Sequence, residues 1–170
     1  MTIGERYGEL FQMSYITRDL DAALAHARDE LGIEDFHTSE SEIDVLSYGQ
    51  PRKLAVRAAM ANIGSRQLEI IQPVSGAIEI YTDEVDLSGH ILNFHHTAIA
   101  VRGGYEEWQR LLAEVAESGD ELAYLFPAEQ HPAQGLAFCY VDTRHRIGHF
   151  TEFLWVDPAL NGLHAIPQPA

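Results

Sequence analysis

Two similar stretches of the chain constrain its fold more than any other feature of the sequence. Each begins with a short β-prone run and continues into an amphipathic helical pattern. The first stretch comprises residues 11–18 and 19–31, and the second comprises residues 95–102 and 103–115. Because similarity between two parts of one chain is typical of a fold built from repeated units, we interpret the chain as two equivalent halves.

The helical part of each stretch has recognisable ends. Asp19 is a good N-cap, because its side chain can accept a hydrogen bond from the first helical turn, and Gly32 follows as a C-terminal stop. Gly119 ends the second helix in the same way. The residues predicted to face the core are Leu20, Ala23, Leu24, Ala27 and Leu31 in the first helix, and Trp108, Leu111, Leu112 and Val115 in the second.

Three strand-like runs follow each predicted helix, so the order βαβββ occurs twice. The runs lie near residues 43–48, 54–63 and 67–72 in the first half, and near residues 122–126, 136–142 and 149–156 in the second. Turns are predicted at residues 62–65 and 144–148, between the last two runs of each half.

The resulting organisation is one structural domain made of two modules. Residues 1–72 form the first module, residues 73–93 a linker, residues 94–158 the second module and residues 159–170 a C-terminal tail. The linker is apolar around residues 78–81, so we expect it to pack along the surface rather than to be a free linker.

The charge balance limits the partners of the chain. Its net charge of −15 repels phosphate backbones and anionic lipid, which argues against nucleic acid and membrane surfaces. The same acidity disfavours a polyanionic substrate such as a coenzyme A thioester, unless the few basic residues form a cluster. Arg52, Lys53, Arg57 and Arg66 are one candidate cluster. The alternative is that the charge only keeps a solvated surface soluble.

The cysteine content and the hydropathy pattern suggest the compartment. Cys139 is the single cysteine, and it lies in the apolar run of residues 136–141, so we expect a buried thiol that forms no internal disulfide. The first residues contain no apolar signal core, and no window approaches the ~20 apolar residues of a membrane span. We therefore expect a cytoplasmic protein.

Four polar residues fall at equivalent places in the two halves. Gln12 and His96 each open the first strand of their half and are 84 residues apart. Glu69 and Glu152 each lie in the last strand of their half and are 83 residues apart. Both glutamates have apolar neighbours in a strand that ends shortly before a proline, where an unpaired charge is costly.

If the halves combine around a pseudo-twofold axis, these four side chains converge. Two carboxylates, an imidazole and an amide oxygen suit a divalent zinc, nickel, cobalt, manganese or iron ion, and the absence of sulfur argues against a closed structural zinc site. Taken singly, each glutamate is more often on the solvent face of its strand, and one histidine of the pair His95 and His96 usually points outward. The other histidines considered, interpreted as surface or substrate-pocket residues, are His37, His90, His131, His145 and His149.

The chain resembles the vicinal-oxygen-chelate superfamily, which includes glyoxalase I, methylmalonyl-CoA epimerase, extradiol dioxygenases and bleomycin-resistance proteins. The resemblance covers residues 11–158 and is strongest at residues 15–24, 68–73 and 95–101, while residues 72–81 look like the linker of the glyoxalase and epimerase branch. It implies an α+β fold in which two tandem βαβββ modules form a cupped, incomplete barrel-like mixed sheet with helices outside. Small proteins of this architecture often associate, so we expect a homodimer.

The resemblance also implies a site and an activity. The metal ligands would be Gln12, Glu69, His96 and Glu152, as in eukaryotic-type glyoxalase I, and Glu152 would be the catalytic base. The substrate would be a small carbonyl compound that chelates the ion through two oxygens and reacts through an enediolate, in an isomerase or lyase reaction. One alternative is a non-catalytic, bleomycin-resistance-like binding protein. Gln12 stands where extradiol dioxygenases have a histidine, which counts against that third activity.

Overall fold

The computed structural model describes residues 6–83, 85, 87–127 and 135–160. The first half contains β1 (Gly8–Ile16), α1 (Leu20–Leu31), β2 (His37–Ser47), β3 (Gln50–Ile63) and β4 (Arg66–Gly76). A short helix, α2 (Glu79–Thr82), follows β4. The second half contains β5 (Asn93–Val101), α3 (Tyr105–Ser118), β6 (Glu121–Phe126), β7 (Leu136–Asp142), the one-turn helix α4 (Arg144–Ile147) and β8 (Phe150–Val156), before a 3-10 turn at Pro158–Leu160.

The eight strands form one closed barrel in the order β1-β4-β3-β2-β6-β7-β8-β5. The pairs β1–β4 and β5–β8 are parallel and the other neighbours are antiparallel, so the sheet is mixed as the sequence predicts. The prediction of an incomplete barrel is wrong. The end of β2 meets β6, with Leu46 opposite Leu125 and Ser47 opposite Tyr124, and this short seam closes the sheet.

The longer helices pack against the outside of the barrel. In α1, Asp19 caps the N-terminus by accepting from the backbone N–H of Ala22 at 3.0 Å, and Gly32 ends the helix with φ of 66°. The buried face of α1 packs on β3 and β4 through the small residues Ala23 and Ala27. Leu31, predicted to join this face, is exposed at the last residue of the helix.

A second apolar cluster lies beneath α3. Trp108, Leu111 and Val115 pack there against Phe153 and against Cys139, whose thiol is buried as expected. Close packing of this kind makes large side chains expensive to truncate, at about 3–5 kcal/mol for a tryptophan replaced by alanine.

The segment between the halves reaches the interior of the barrel. Ile80 and Tyr81 of α2 are buried, and the Tyr81 ring lies 6.3 Å from that of Tyr140 on β7. The sequence predicts a packed segment and not a free linker; the segment is packed, and two of its apolar side chains are buried in the core and not on the surface. None of the helices in the described ranges has the length and apolar character that crossing a bilayer requires.

Candidate metal centre

Two β-bulges lie at equivalent positions in the adjacent strands β1 and β5. The register between these strands skips Phe11 on β1 and His95 on β5. A bulge lets two successive side chains lie on the same side of a strand. As a result Phe11 and Gln12 are both buried, and so are His95 and His96. The expectation that one of the two histidines points outward is wrong for this reason.

Glu69 and Glu152 lie on strands that keep the regular alternation. Glu69 on β4 lines the interior cavity, as does Ile71, while Ile70 between them packs beneath α1. Glu152 on β8 lines the same cavity with Leu154, while Phe153 packs beneath α3. The period of two along a strand therefore aims both carboxyl groups into the barrel.

Glu69, His96 and Glu152 form one buried cluster at the base of the cavity. Their potential ligand atoms all lie within 4.8 Å of one another. His96 Nε2 lies 3.1 Å from Glu152 Oε2 and 3.5 Å from Glu69 Oε2. The Tyr140 hydroxyl lies 3.5 Å from the same nitrogen. The structure thus brings together three of the four residues that were predicted to converge.

Gln12, the fourth, lines the same cavity. Its side-chain nitrogen donates to Gln67 Oε1 at 2.7 Å, in a buried hydrogen bond. Because this bond uses the amide nitrogen, the carbonyl oxygen of Gln12 is the atom that it retains for other contacts.

Burial keeps this cluster nearly uncharged in the free protein. Desolvation raises the pKa of Glu69 to about 7 and the pKa of Glu152 to about 8. Burial also lowers the pKa of His96 to about 4, although the Glu69 carboxylate opposes that change. Near neutral pH the imidazole is therefore neutral, and at least one carboxyl group carries a proton.

A chain of hydrogen bonds fixes which nitrogen of His96 carries its proton. His95 Nε2 lies 2.8 Å from the carbonyl oxygen of Ile80, which can only accept, so this nitrogen donates. Burial, with the neighbouring His96, holds the pKa of His95 well below its usual range, so the ring is neutral and its Nδ1 accepts. His96 Nδ1 lies 2.9 Å from that atom and must donate to it. His96 Nε2 therefore presents a lone pair to the two carboxyl groups.

These residues fit a divalent metal ion. A neutral imidazole with its other N–H held by a second group, beside two carboxyl groups, is the arrangement that protein metal sites use. Glu69 Oε2 is buried and has no hydrogen-bond partner among the described residues, which leaves an acceptor that a cation would satisfy. The donor set of nitrogen and oxygen suits zinc and its neighbours in the first transition row.

Sequence reasoning did not identify three other parts of this site. His95, Tyr81 and Tyr140 were not proposed as members, although all three are buried: His95 and Tyr140 contact the His96 ring, and Tyr81 contacts the His95 ring. The bulge at His95 has no local signature, and Tyr81 lies in the segment assigned as a linker. Tyr140 could have been found, because it pairs with Glu152 across β7 and β8.

The remaining histidines occupy different places. His37 lines the interior cavity, whereas His90 and His149 line a second cavity together with His95. His145 is exposed, 3.6 Å from Asp120. His131 lies outside the described residues.

Comparison with solved structures places the fold. The chain is similar to a variant of methylmalonyl-CoA epimerase from Streptomyces coelicolor in complex with 2-nitronate-propionyl-CoA, with a TM-score of 0.55 and 18% identity over 96% of this chain and 99% of that one. The same figures hold for methylmalonyl-CoA epimerase in complex with methylmalonyl-CoA and NH4+. The epimerase from Mycobacterium tuberculosis has a TM-score of 0.54 and 16% identity over 94% of this chain and 95% of that one.

Sequence comparison adds nothing to this result. No profile of a known protein family matches the chain, and neither does any curated protein. The structural neighbours are methylmalonyl-CoA epimerases, which have the vicinal-oxygen-chelate fold, so the predicted resemblance is confirmed for the fold.

Proposed function

We propose that the chain is a metal-dependent enzyme of the isomerase or lyase type, which moves a proton next to a carbonyl group in a small substrate that offers two oxygen atoms. The observation that carries this proposal is the buried cluster of Glu69, His96 and Glu152 at the base of a cavity. The fold supports it, since the similar solved structures are epimerases.

The ion would be held by His96 through Nε2 and by the carboxyl groups of Glu69 and Glu152, with the carbonyl oxygen of Gln12 as the fourth protein ligand. The chemistry that a bound divalent ion supplies is polarisation of the substrate's carbonyl group, which makes the neighbouring C–H bond more acidic. Apolar side chains such as Leu54, Phe138 and Leu154 form part of the cavity wall, and a charge interaction in such surroundings is stronger than in water.

Glu152 is the group that would take the proton. Its Oε2 faces the lone pair of His96 Nε2 at 3.1 Å, so this carboxyl group holds a proton at that atom when no cation is present. Burial raises the pKa of this group to about 8 in the metal-free protein. A bound divalent ion would lower that pKa, so the carboxylate would have to leave the ion to act as the base. The Tyr140 hydroxyl, close to the same nitrogen, can donate a hydrogen bond to a substrate oxygen.

The test is incorporation of solvent deuterium into candidate substrates by metal-loaded protein. The panel would contain hydroxyacetone, 2-hydroxyacetophenone, lactoylglutathione and methylmalonyl-CoA. We expect Glu152→Gln to slow the exchange by roughly 100-fold or more, because the amide cannot accept the proton. Glu42→Gln, at an exposed carboxylate on β2, is the matched control and should exchange at the wild-type rate.

Two results would contradict the proposal in different ways. Equal exchange by wild type and Glu152→Gln would exclude Glu152 as the base. Bound metal without exchange in any member of the panel would favour the alternative of a non-catalytic binding protein.

A further inference from the structure

We infer that the cavity takes an uncharged, largely apolar substrate, and that phosphorylated molecules such as coenzyme A thioesters are excluded from it. This inference rests on the proposed function, because the two oxygens of the substrate would meet the ion at Glu69, His96 and Glu152. It concerns the rest of the substrate molecule, which would occupy the remainder of the cavity.

The first observation is that the cavity has no lysine or arginine in its wall. All 11 lysine and arginine residues of the chain lie in the described ranges, and none of them lines the cavity. The ionisable groups in the described wall, apart from buried tyrosines, are the carboxyl groups of Asp35, Glu69 and Glu152 and the imidazole of His37. A divalent ion would offset the two glutamates only, so Asp35 would leave the cavity with a negative balance.

Two members of the candidate basic cluster, Lys53 and Arg57, are held outside the cavity by acidic partners. Lys53 Nζ lies 3.2 Å from Asp44 and 3.5 Å from Glu42. The guanidinium of Arg57 lies 3.1 Å from Asp21 of α1 and 3.2 Å from Glu40, which places it on the outer face of the barrel.

The other two members of the candidate basic cluster are also outside the cavity. Arg52 pairs with Glu79, and Arg66 is exposed with its guanidinium donating to the carbonyl oxygen of Ser65 at 3.2 Å. These four residues therefore do not form the phosphate-binding cluster that would make a coenzyme A thioester acceptable to an acidic chain.

The second observation is the chemistry of the wall. Phe126 and Phe138 stack with their ring centroids 5.0 Å apart, and both line the cavity. Leu54, Val56 and Leu154 also line the cavity, together with the polar residues Ser39 and Ser41 of β2. A phosphate held in such surroundings without a cation would lose its hydration and gain nothing in return.

The size of the cavity indicates how large the apolar part can be. Its volume is about 770 Å³. Pockets between roughly 300 and 1,000 Å³ hold molecules of ordinary drug size. An aromatic or alicyclic body of two or more rings, carrying the two oxygens at one end, is therefore the substrate class that this wall fits.

The test compares hydroxamic acids, which bind divalent metals through two oxygens, on zinc-loaded protein by calorimetry. Acetohydroxamic acid reports the ion alone, 2-naphthohydroxamic acid adds a neutral apolar body, and its 6-sulfonate adds a remote anion. We expect the naphthyl compound to bind at least tenfold more tightly than acetohydroxamic acid, and its sulfonate at least tenfold more weakly than the naphthyl compound. Equal binding of the sulfonate, or tight binding of propionyl-CoA, would overturn the inference.

A pair of identical substitutions locates the effect. Met60 lines the cavity, whereas Met13 is exposed on β1 and does not. Met60→Lys should strengthen binding of the sulfonate severalfold, and Met13→Lys should leave it unchanged. Asp35→Asn, at an exposed loop position, should shift the preference in the same direction. It serves as the second test if Met60→Lys fails to fold. No change in any cavity variant would contradict the role assigned to charge.

The inference about the substrate can be tested even if the proposed metal-dependent function is wrong. If zinc does not bind, the same comparison is made on the metal-free protein with methyl 2-naphthoate and 2-naphthalenesulfonate. Preference for the neutral ester would support an apolar cavity in a protein without metal chemistry. Equal binding of the two would reject the inference independently of the metal.

Discussion

At the scale of single residues, the contact that most affects the candidate site is the hydrogen bond between His95 and His96, on the side of the His96 ring away from the two carboxyl groups. His95 Nδ1 accepts a hydrogen bond from the Nδ1–H of His96, and its own Nε2–H donates to the carbonyl oxygen of Ile80. Without that acceptor the proton of His96 is free to move to Nε2, where it would block a metal. His95 is thus a positioning residue, since it acts on the ion only through His96.

We expect His95→Phe to weaken zinc binding by roughly 10- to 100-fold, the range typical for groups that hold a metal-binding histidine. His95→Gln should lose less, because an amide can accept from His96 and donate to Ile80. Affinities are measured by competition with a chromophoric chelator. Phe150→Leu is the packing control, since its ring lies 4.9 Å from that of His95 without a hydrogen bond to His96. A comparable loss in that control would mean that His95 matters only as packing.

At the scale of elements, the two halves of the barrel are joined by unequal seams. β1 and β5 pair along their whole lengths, from Gly8 opposite Val101 to Ile16 opposite Asn93. The other seam joins β2 and β6 over two residues on each strand, supplemented by a hydrogen bond of 2.9 Å from the Tyr48 amide to the carbonyl of Ala123. The short seam is therefore where local opening should start.

Hydrogen exchange measured by NMR can test this. We expect the Tyr48 amide to exchange at least tenfold faster than the hydrogen-bonded amides of β5 under native conditions, because fewer bonds must break to expose it. The amides of β7 that pair with β8 serve as the comparison within the second half. Equal protection at both seams would show that the barrel opens only as a whole.

The elements also show what local patterns can and cannot predict. The apolar spacing and caps were enough to place α1 and α3, and the alternation along β8 correctly separates Phe153 from Glu152. The bulge at His95 was not predicted, because a pattern with a period of two assumes that every residue of a strand has one partner on the neighbouring strand. Closure of the barrel was not predicted, because the pairing of Leu46 with Leu125 joins segments that are distant in sequence. The equivalence of Glu69 and Glu152 was visible because the two halves repeat.

At the scale of the whole molecule, the buried cluster should make the stability of the metal-free protein depend on pH. The pKa values of Glu69 and Glu152 are raised to about 7 and about 8, above the roughly 4.3 of an unfolded glutamate. The folded state therefore binds more protons than the unfolded state between those values, and its stability falls as pH rises from about 5 to 8. The lowered pKa of His96 acts in the opposite sense, below about pH 6.5.

We expect the melting temperature of chelator-treated protein to fall between pH 6 and pH 8.5, by on the order of 5–10 °C if the two groups contribute a few kcal/mol. Glu152→Gln should flatten this dependence, because the amide does not titrate, while Glu42→Gln should retain it. Scanning calorimetry in matched ionic strength gives the comparison. An identical slope in Glu152→Gln would show that repulsion among surface carboxylates, not the cluster, sets the pH response.

The same cluster spans the longer seam of the barrel. Glu69 is contributed by the first half, and His96 and Glu152 by the second. An ion held by all three would tie the halves together as a removable cross-link, and would do so only while the chain is folded. With the ion bound, the long seam would separate only with loss of the ion, whereas the short seam, which the ion does not span, could still open first. Removing the ion would weaken the long seam alone, so the resistance of that seam to opening would report whether the site is filled.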